Sequence, residues 1–323
     1  MRSNFDILQI DCGKEADRIC EFIRKQLTLM KRSGVVIGLS GGVDSAVCAE
    51  LCVRAIGREN VLCLVLPEKE SDQVSARYAF LQADKMGLSP LTIDITAALE
   101  GFGTYEKRDK AIREIVPGYC SGHKSKIVLP PDLLNNDALN FFTLKTVDDK
   151  GNVSSFRLDN RKMHEIMAAS DTKERTRMMY LFYHAELNGY AVCGTTNHTE
   201  FIQGFFVKYG DGGVDIEPIQ HLYKMQIYQL AHHLGVVNEI INRTPTPDTY
   251  SFSVTDEEMY FRLPYDKLDP LLYAWENNVP VNEVCEITGM TEKQVKRAFR
   301  DFSLKYNATK YLRMPPLSMT EQI

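Results

Sequence analysis

The feature that most constrains this chain is an eight-residue run between an apolar stretch and a helical pattern: Gly38-Leu39-Ser40-Gly41-Gly42-Val43-Asp44-Ser45. Residues 35–39 are typical of a buried strand, and the helical pattern extends over residues 44–56. A glycine-rich turn at such a junction exposes backbone N–H groups and the positive end of a helix, so it predicts a phosphate site. No Gly-Lys-Ser/Thr follows the glycines, so the run differs from a Walker A loop.

The surrounding sequence alternates between strand and helix patterns. Strand patterns at residues 35–39, 61–66 and 91–95 follow helical patterns at residues 14–32, 44–56 and 72–87. This order predicts an α/β fold with a doubly wound parallel sheet and helices on both faces. Ligands of such sheets bind at the carboxyl ends of the strands. We also expect a helix at 172–188, a strand at 190–193 and helices at 223–234, 267–277 and 292–306.

The alternation stops between about residues 100 and 165, where turn signals such as Pro130-Pro131 and Asp148-Asp149-Lys150-Gly151 accumulate. Residues 141–147 and 153–158 flank the second of these turns and predict a hairpin. We interpret this stretch as an insertion that closes over the nucleotide site and excludes water. The predicted organisation is a catalytic domain over residues 1–278 with an insertion at about 100–165, and a helical C-terminal extension over residues 279–323 packed on that domain.

Composition excludes several classes of protein. No apolar run approaches the ~20 residues that span a bilayer, and the N-terminus lacks the pattern of a secretion signal. The net charge of −5 gives no reason to expect nucleic acid as a partner. The eight cysteines include no CxxC pair, which favours reduced thiols over a zinc site. We therefore expect a cytoplasmic protein without membrane or nucleic-acid partners.

Charged residues at three further places have the chemistry of an ATP site. Asp44 is a candidate Mg²⁺ ligand, because this ion prefers carboxylate and phosphate oxygens, and Glu200 follows the predicted strand at 190–193 as a second candidate. A glycine-rich segment at 206–215 carries Lys208 and Asp215, and Lys224 comes shortly after it. Each charge alone is typical of a solvated surface, but their joint occurrence favours a binding site.

The glycine-rich run resembles the pyrophosphate loop of N-type ATP pyrophosphatases, enzymes of the adenine nucleotide alpha hydrolase-like fold that activate substrates by adenylation. Further segments are similar to those of NAD synthetases in order and spacing, over about residues 15–275. These segments are the helix at 172–178, Gly-Thr-Thr-Asn-His-Thr-Glu at 194–200, Phe-Val-Lys-Tyr-Gly-Asp-Gly-Gly-Val-Asp-Ile at 206–216, Leu-Tyr-Lys at 222–224 and Arg-Thr-Pro-Thr at 243–246.

This resemblance implies roles for individual residues. ATP contacts are implied at Gly38, Leu39, Ser40, Gly41, Gly42, Val43, Asp44, Ser45, Thr195, Lys224 and Thr246. Mg²⁺ is implied at Asp44 and Glu200, contacts with the second substrate at Arg175, Lys208 and Asp215, and catalytic roles for Asp44 and Lys224. The implied reaction is the amidation of nicotinic acid adenine dinucleotide to NAD through an acyl-adenylate, with ATP as co-substrate and ammonia as nitrogen donor, in a homodimer. Because 323 residues leave no room for a glutaminase domain, we expect free ammonia or a separate partner chain as its source.

Several departures from the family pattern keep alternatives open. Asp171 replaces a common Asn and is interpreted as a helix N-cap, and Tyr311-Leu312-Arg313 replaces a common His-Lys-Arg. Since Leu312 cannot supply the cation, a related ligase that acts on another carboxylate is one alternative, and Arg313 is a candidate for compensation. The helix–Gly–helix pattern at 281–302 resembles a helix-turn-helix, so a DNA-binding regulator is a second alternative to a packed helical hairpin. For His198 we expect a structural hydrogen bond rather than proton transfer.

Overall fold

The computed structural model describes residues 6–136 and 140–319. The strands are β1 (Val35–Gly38), β2 (Val61–Val65), β3 (Leu91–Thr92), β4 (Lys124–Val128), β5 (Thr143–Val147), β6 (Val153–Arg157) and β7 (Ala191–Cys193). The helices are α1 (Cys12–Met30), α2 (Val43–Ile56), α3 (Gln73–Met86), α4 (Thr96–Phe102), α5 (Thr104–Arg113), α6 (Asn160–Asn188), α7 (His198–Gln203), α8 (Lys224–Leu234), α9 (Asn238–Ile241), α10 (Tyr265–Glu276), α11 (Val281–Thr288) and α12 (Glu292–Ala308).

The main sheet is parallel and has the strand order β3-β2-β1-β7. Side chains alternate across it, so Val35 and Ile37 belong to a core with α1, α2 and α8, while Val36 belongs to a core with α4 and α6. Both faces of β1 are therefore buried under helices, which confirms the doubly wound α/β prediction. The carboxyl ends of β1, β2 and β7 lie at one edge, as the topology requires.

Two predicted elements have different bounds in the structure. The strand predicted at 91–95 is shortened to Leu91–Thr92, an exposed edge, although the N–H of Ile93 still donates to the carbonyl of Val65. The helix predicted at 172–188 begins at Asn160, because the Asp159 side chain caps it by accepting from the N–H of Lys162. Asp171 consequently lies inside α6, and the prediction that it is an N-cap was wrong.

The stretch interpreted as an insertion forms a second, antiparallel sheet with the order β4-β5-β6. The predicted hairpin is confirmed, since β5 and β6 pair with Val147 opposite Val153 around the Asp-Asp-Lys-Gly turn. Helix α5 packs against α6, and an apolar cluster that includes Ile112, Leu144 and Ile166 joins this sheet to the first half of α6. The long helix α6 therefore connects both sheets.

The C-terminal helices pack on the rest of the described chain. Val295 and Phe302 of α12 are buried in one cluster with Leu268 and Leu272 of α10. Arg297, one of the basic residues of the helix-turn-helix pattern, is buried and donates to the carbonyl of Leu134. The hairpin α11–α12 thus directs its apolar face into the protein. Within residues 6–136 and 140–319, no helix has the length and apolarity to cross a membrane.

Candidate active site

A cleft with a volume of about 760 Å³ opens at the carboxyl edge of the main sheet. It adjoins a smaller cavity of about 190 Å³ at the ends of β1, β2 and β7. Among the residues predicted for ATP, metal or substrate, those that line the larger cleft are Ser40, Gly42, Val43, Asp44, Ser45, Arg175, Thr195, Glu200, Lys208, Lys224 and Thr246. Gly38 and Leu39 line the smaller cavity together with Ser40 and Thr195.

The glycine-rich loop is held in shape by its own hydroxyl groups and by the neighbouring helix. The hydroxyl of Ser45 donates to the carbonyl of Gly42 at 3.0 Å and accepts from the N–H of Ser40 at 3.2 Å. Gly41 has φ +77°, and a Cβ there would lie 2.2 Å from the carbonyl oxygen of Ser75. Only glycine fits this close approach. The loop therefore presents the first turn of α2 to the cleft, a geometry suited to phosphate.

The central feature of the cleft is an ammonium group surrounded by carboxylates. Lys224 is 3% exposed, and its Nζ donates to Oδ2 of Asp44 at 2.5 Å and lies 3.6 Å from Oε1 of Glu200. The side-chain amide of Asn197 donates to the other oxygen of Asp44 at 3.0 Å and accepts from the N–H of Glu200 at 3.0 Å. Three elements that are far apart in sequence thus meet at one point.

The electrostatics of this cluster favour an additional cation. Burial and the nearby charge of Asp44 raise the pKa of Glu200 well above its usual range. Burial likewise raises the pKa of Asp256, whose carboxylate accepts from the hydroxyl of Tyr265 at 2.8 Å. Burial alone would lower the pKa of Lys224, but the surrounding carboxylates outweigh it and raise the pKa. One ammonium beside three acids, of which Asp256 is buried and Asp44 and Glu200 are each 16% exposed, leaves the site short of positive charge.

A carboxylate beneath the cleft fixes the helices that carry these groups. Asp269 of α10 is fully buried and accepts from the hydroxyl of Thr199 and from the N–H of Met225, both at 2.7 Å. It therefore joins the starts of α7 and α8, and burial raises its pKa to about 7. His198 also has a structural position, because its ring nitrogens lie 2.9 Å from Oε1 of Glu276 and 3.2 Å from the carbonyl of Gln220.

The two predicted basic substrate residues lie together at the other end of the cleft. The Nε of Arg175 donates to the carbonyl of Lys208 at 3.2 Å. The Nζ of Lys208 donates to the carbonyls of Tyr311 and Met314, each at 2.9 Å, and so holds the C-terminal segment. Leu312 lines the same end of the cleft.

Two further residues considered for this end have contacts outside the larger cleft. Asp215 is exposed and does not line the cleft, because its carboxylate accepts from the N–H of Val192 at 2.8 Å. Arg313 was considered as compensation for Leu312, but its guanidinium donates to backbone carbonyls, including that of Phe201 at 3.1 Å. This interpretation of Arg313 was wrong, since the group serves to hold the end of α7.

Three residues of the site had no role assigned from the sequence: Arg243 and Asp256, which line the cleft, and Asn197, which is buried beside Asp44. A signal existed for Asn197, because Asn followed three residues later by Glu is the pattern of a capping box, and the structure has that box at the start of α7. Arg243 lies in the family-like segment at 243–246 but was given no role, and no local signal distinguishes Asp256 from a surface charge. Their position depends on how the segment after α9 folds back over the sheet.

Comparisons with known proteins identify relatives over nearly the whole chain. The NAD synthase family model matches residues 15–121 and 136–315. An NH₃-dependent NAD⁺ synthetase of Rhizobium meliloti is 44% identical over 311 residues, which are 96% of this chain and 93% of the relative. That of Thermotoga neapolitana is 34% identical over 90% of this chain and 92% of the relative.

Solved structures show the same fold at low sequence identity. An NH₃-dependent NAD synthetase from Campylobacter jejuni has a TM-score of 0.63 and 22% identity, covering 96% of this chain and all of that one. An NMN synthetase from Francisella tularensis has a TM-score of 0.62 and 20% identity, covering 96% of this chain and 99% of that one. These likenesses confirm the adenine nucleotide alpha hydrolase-like fold.

Proposed function

The chain belongs to the NAD synthase family, and we propose that it is a carbon–nitrogen ligase that converts nicotinic acid adenine dinucleotide to NAD with ATP and ammonia. The carboxylate of the substrate attacks the α-phosphorus of ATP, which gives an acyl-adenylate and pyrophosphate. Ammonia then attacks the acyl carbon, and AMP leaves. The observation that carries the proposal is the meeting of Asp44, Glu200 and Lys224 beside the glycine-rich loop.

We propose that Asp44 and Glu200 hold Mg²⁺. The fit rests on hard oxygen donors and on three buried or partly buried acids around a single ammonium. Across residues 6–136 and 140–319, no group of three His, Cys, Asp or Glu side chains is arranged as a metal site. Two carboxylates leave the other positions to phosphate oxygens and water, as is usual for this ion. When bound, the ion neutralises charge on the leaving pyrophosphate.

The residues of the chain contribute mainly by position and charge. The N–H groups at the start of α2 donate hydrogen bonds to the pyrophosphate, and Lys224 neutralises charge that develops on the phosphates during attack. Asn197 keeps Asp44 and Glu200 in register through its two hydrogen bonds. No covalent enzyme intermediate is needed, so catalysis follows from orientation and electrostatic stabilisation.

The acid substrate is proposed to bind at the end of the cleft that Arg175 and Lys208 line. A guanidinium suits bidentate contact with a phosphate or carboxylate. Asp215 remains a predicted substrate contact outside this cleft. The insertion contributes Phe142 and Met163 to the cleft wall, which supports the proposed exclusion of water from the adenylate. Leu312 at this end favours one second candidate, the same ligase reaction on a different carboxylate.

One assay tests the reaction and the choice of acid. The protein is incubated with ATP, Mg²⁺, ammonium and nicotinic acid adenine dinucleotide, and NAD, AMP and pyrophosphate are quantified. We expect the three products in equal amounts, and none of them when ammonium and the acid are both omitted. Nicotinic acid mononucleotide in parallel tests the second candidate. Amidation of the mononucleotide alone would overturn the proposed substrate.

We propose that the enzyme is a homodimer through the exposed face of α6. Met179, Tyr183 and Leu187 recur every four residues and are 62%, 62% and 67% exposed, so they form one apolar stripe. A second copy of this chain would cover the stripe and extend the helical layer. All eight cysteines are free thiols, which supports a cytoplasmic location.

The stripe gives a testable prediction for assembly. We expect Tyr183→Glu to weaken the dimer by at least about tenfold in Kd, because a carboxylate would be desolvated in an apolar interface. Sedimentation velocity across a micromolar concentration series measures the change. Leu304→Glu is the matched control, since Leu304 is 59% exposed on α12, and it should sediment like the wild type. A Tyr183→Glu protein with unchanged sedimentation would contradict the interface.

We also propose the domain organisation predicted above, with residues 1–278 as the catalytic domain and 279–323 as an extension packed on it. The shared apolar cluster of α10 and α12 supports this arrangement. Residues 1–5 and 320–323, at the two ends of these ranges, lie outside the described residues.

A further inference from the structure

Arg243 connects two parts of the cleft that come from different regions of the sequence. Its Nη2 donates to the hydroxyl of Ser75 at 2.9 Å, and its Nη1 donates to the carbonyl of Gly41 at 3.4 Å. The side chain is 16% exposed and lies 3.7 Å from the carboxylate of Asp72. One planar guanidinium thus reaches both the glycine-rich loop and the start of α3.

Asp248 closes this connection from the same segment. Its carboxylate accepts from the hydroxyl of Ser75 at 2.9 Å and from the N–H of Asp72 at 3.0 Å. The residue has φ +47°, so the backbone turns sharply to place it there. Residues 244–249 have neither helix nor strand, and they carry Thr246 at the cleft. Side-chain bonds therefore fix this segment against α3.

The glycine-rich loop packs directly against the residues of this connection. Gly41 passes so close to Ser75 that a Cβ would lie 2.2 Å from the Ser75 carbonyl oxygen. A shift of Ser75 therefore shifts Gly41, and with it the N–H groups that face the cleft. Arg243 is bonded to both residues, so it sets the distance between them.

We propose that Arg243 is a positioning residue for the pyrophosphate end of the site. It acts through Gly41 and Ser75, and it holds the loop N–H groups in the geometry that binds the β- and γ-phosphates of ATP and the pyrophosphate product. This role deepens the proposed function and rests on it for the identity of the leaving group. Thr246 is held in the same frame because it lies between Arg243 and Asp248.

The test is the affinity of the full-length protein for inorganic pyrophosphate with Mg²⁺, measured by calorimetry. We expect Arg243→Gln to raise the Kd about tenfold to a hundredfold. A displacement of binding groups by about 1 Å can weaken their effect by a factor of up to about 10². The KM for ATP should rise by a similar factor, while the KM for the acid substrate stays within about twofold. Arg18→Gln, at an exposed pair on α1, is the matched control. Unchanged pyrophosphate affinity in Arg243→Gln would overturn the proposal.

Two further variants separate positioning from a direct charge contact. A lysine ammonium cannot span the two acceptors, so Arg243→Lys should bind pyrophosphate as weakly as Arg243→Gln. Recovery of wild-type affinity by Lys would instead assign a direct contact and overturn the proposal. Ser75→Ala should weaken pyrophosphate binding. The double variant Ser75→Ala/Arg243→Gln should bind pyrophosphate no more weakly than Arg243→Gln alone. Fully additive losses would also overturn it.

Ser75→Ala tests the same contact if Arg243→Gln is unstable. If urea denaturation shows that Arg243→Gln is not folded, Ser75→Ala alone must still weaken pyrophosphate binding without changing the KM for the acid. Unchanged binding in that variant overturns the proposal. Pyrophosphate binding also requires no NAD formation, so the two proposals fail separately: a wild type that makes no NAD contradicts the proposed reaction and leaves this comparison intact.

Discussion

Replacement of Asp44 by Asn is expected to lower kcat by about 10³-fold or more while the fold is retained. The amide has the shape of the carboxylate but removes the charge that pairs with Lys224 at 2.5 Å and that is proposed to hold Mg²⁺. Pyrophosphate would then leave without its counter-charge. NAD formation at saturating ATP, Mg²⁺ and ammonium measures the loss, and raising Mg²⁺ tenfold should recover only a small part of it.

The control for this variant is Asp17→Asn, in which the carboxylate is 72% exposed and pairs with Arg54 on the surface. It should retain full activity, since exposed ion pairs contribute little. Urea denaturation should show that both variants are folded. Turnover of the Asp44→Asn protein within tenfold of the wild type would show that this carboxylate is not the metal ligand.

The strongest part of the sequence interpretation was local. The strand, the glycine-rich turn and α2 follow one another without a gap, so their order already placed a phosphate site at a sheet edge. Glu200 and Lys224 are distant in sequence from Asp44. Glu200 follows β7, which ends at the same edge of the sheet, and Lys224 begins α8 there. The rule for parallel sheets therefore favoured the meeting of Asp44 and Glu200, and the family resemblance added Lys224; the structure places the three side chains together.

Other features depend on tertiary contacts that no local pattern reports. The first half of α6 is helical because it packs on α5 and the second sheet. The sequence pattern predicted only the second half of this helix. Asp171 was misassigned for this reason. The family resemblance implies Asp215 as a substrate contact, and no sequence pattern predicted that its carboxylate accepts from the N–H of Val192 in β7. Arg243 comes from a segment without regular structure and Asp256 from the start of a π-helical turn at Glu257–Phe261, so only the fold shows where they lie.

Lys173 is the clearest case of a residue whose type is typical of the surface but which the fold buries. It is 1% exposed, and its Nζ donates to Glu68 at 2.7 Å, to Glu70 at 2.9 Å and to the carbonyl of Thr249 at 2.8 Å. Arg108 of α5 also pairs with Glu70 through both Nη groups. The network joins α5, α6, the end of β2 and the cleft segment at 249.

We expect Lys173→Met to lower the free energy of unfolding by about 3–5 kcal/mol, because it leaves the buried carboxylate of Glu68 without its cation. Urea denaturation measures the loss. The double variant Lys173→Met/Glu68→Gln should recover part of it, since the uncompensated charge is then removed. Lys14→Met, at a lysine that is 87% exposed, is the control and should change stability by less than about 0.5 kcal/mol. A small effect of Lys173→Met would show that the network is not structural.

The same network predicts how stability depends on pH. Burial alone would raise the pKa of Glu70, but its bonds to Arg108 and Lys173 outweigh this and lower the pKa to about 2, from an ordinary value of 4.5. As the pH falls, the unfolded chain therefore binds a proton at Glu70 at a higher pH than the folded protein does. This stabilisation is complete above about pH 4.5 and is lost as the pH falls toward 2. Lys173→Met should flatten the loss over that range, because Glu70 then has one cation fewer to keep it ionised; an unchanged slope would assign the acid sensitivity to other carboxylates.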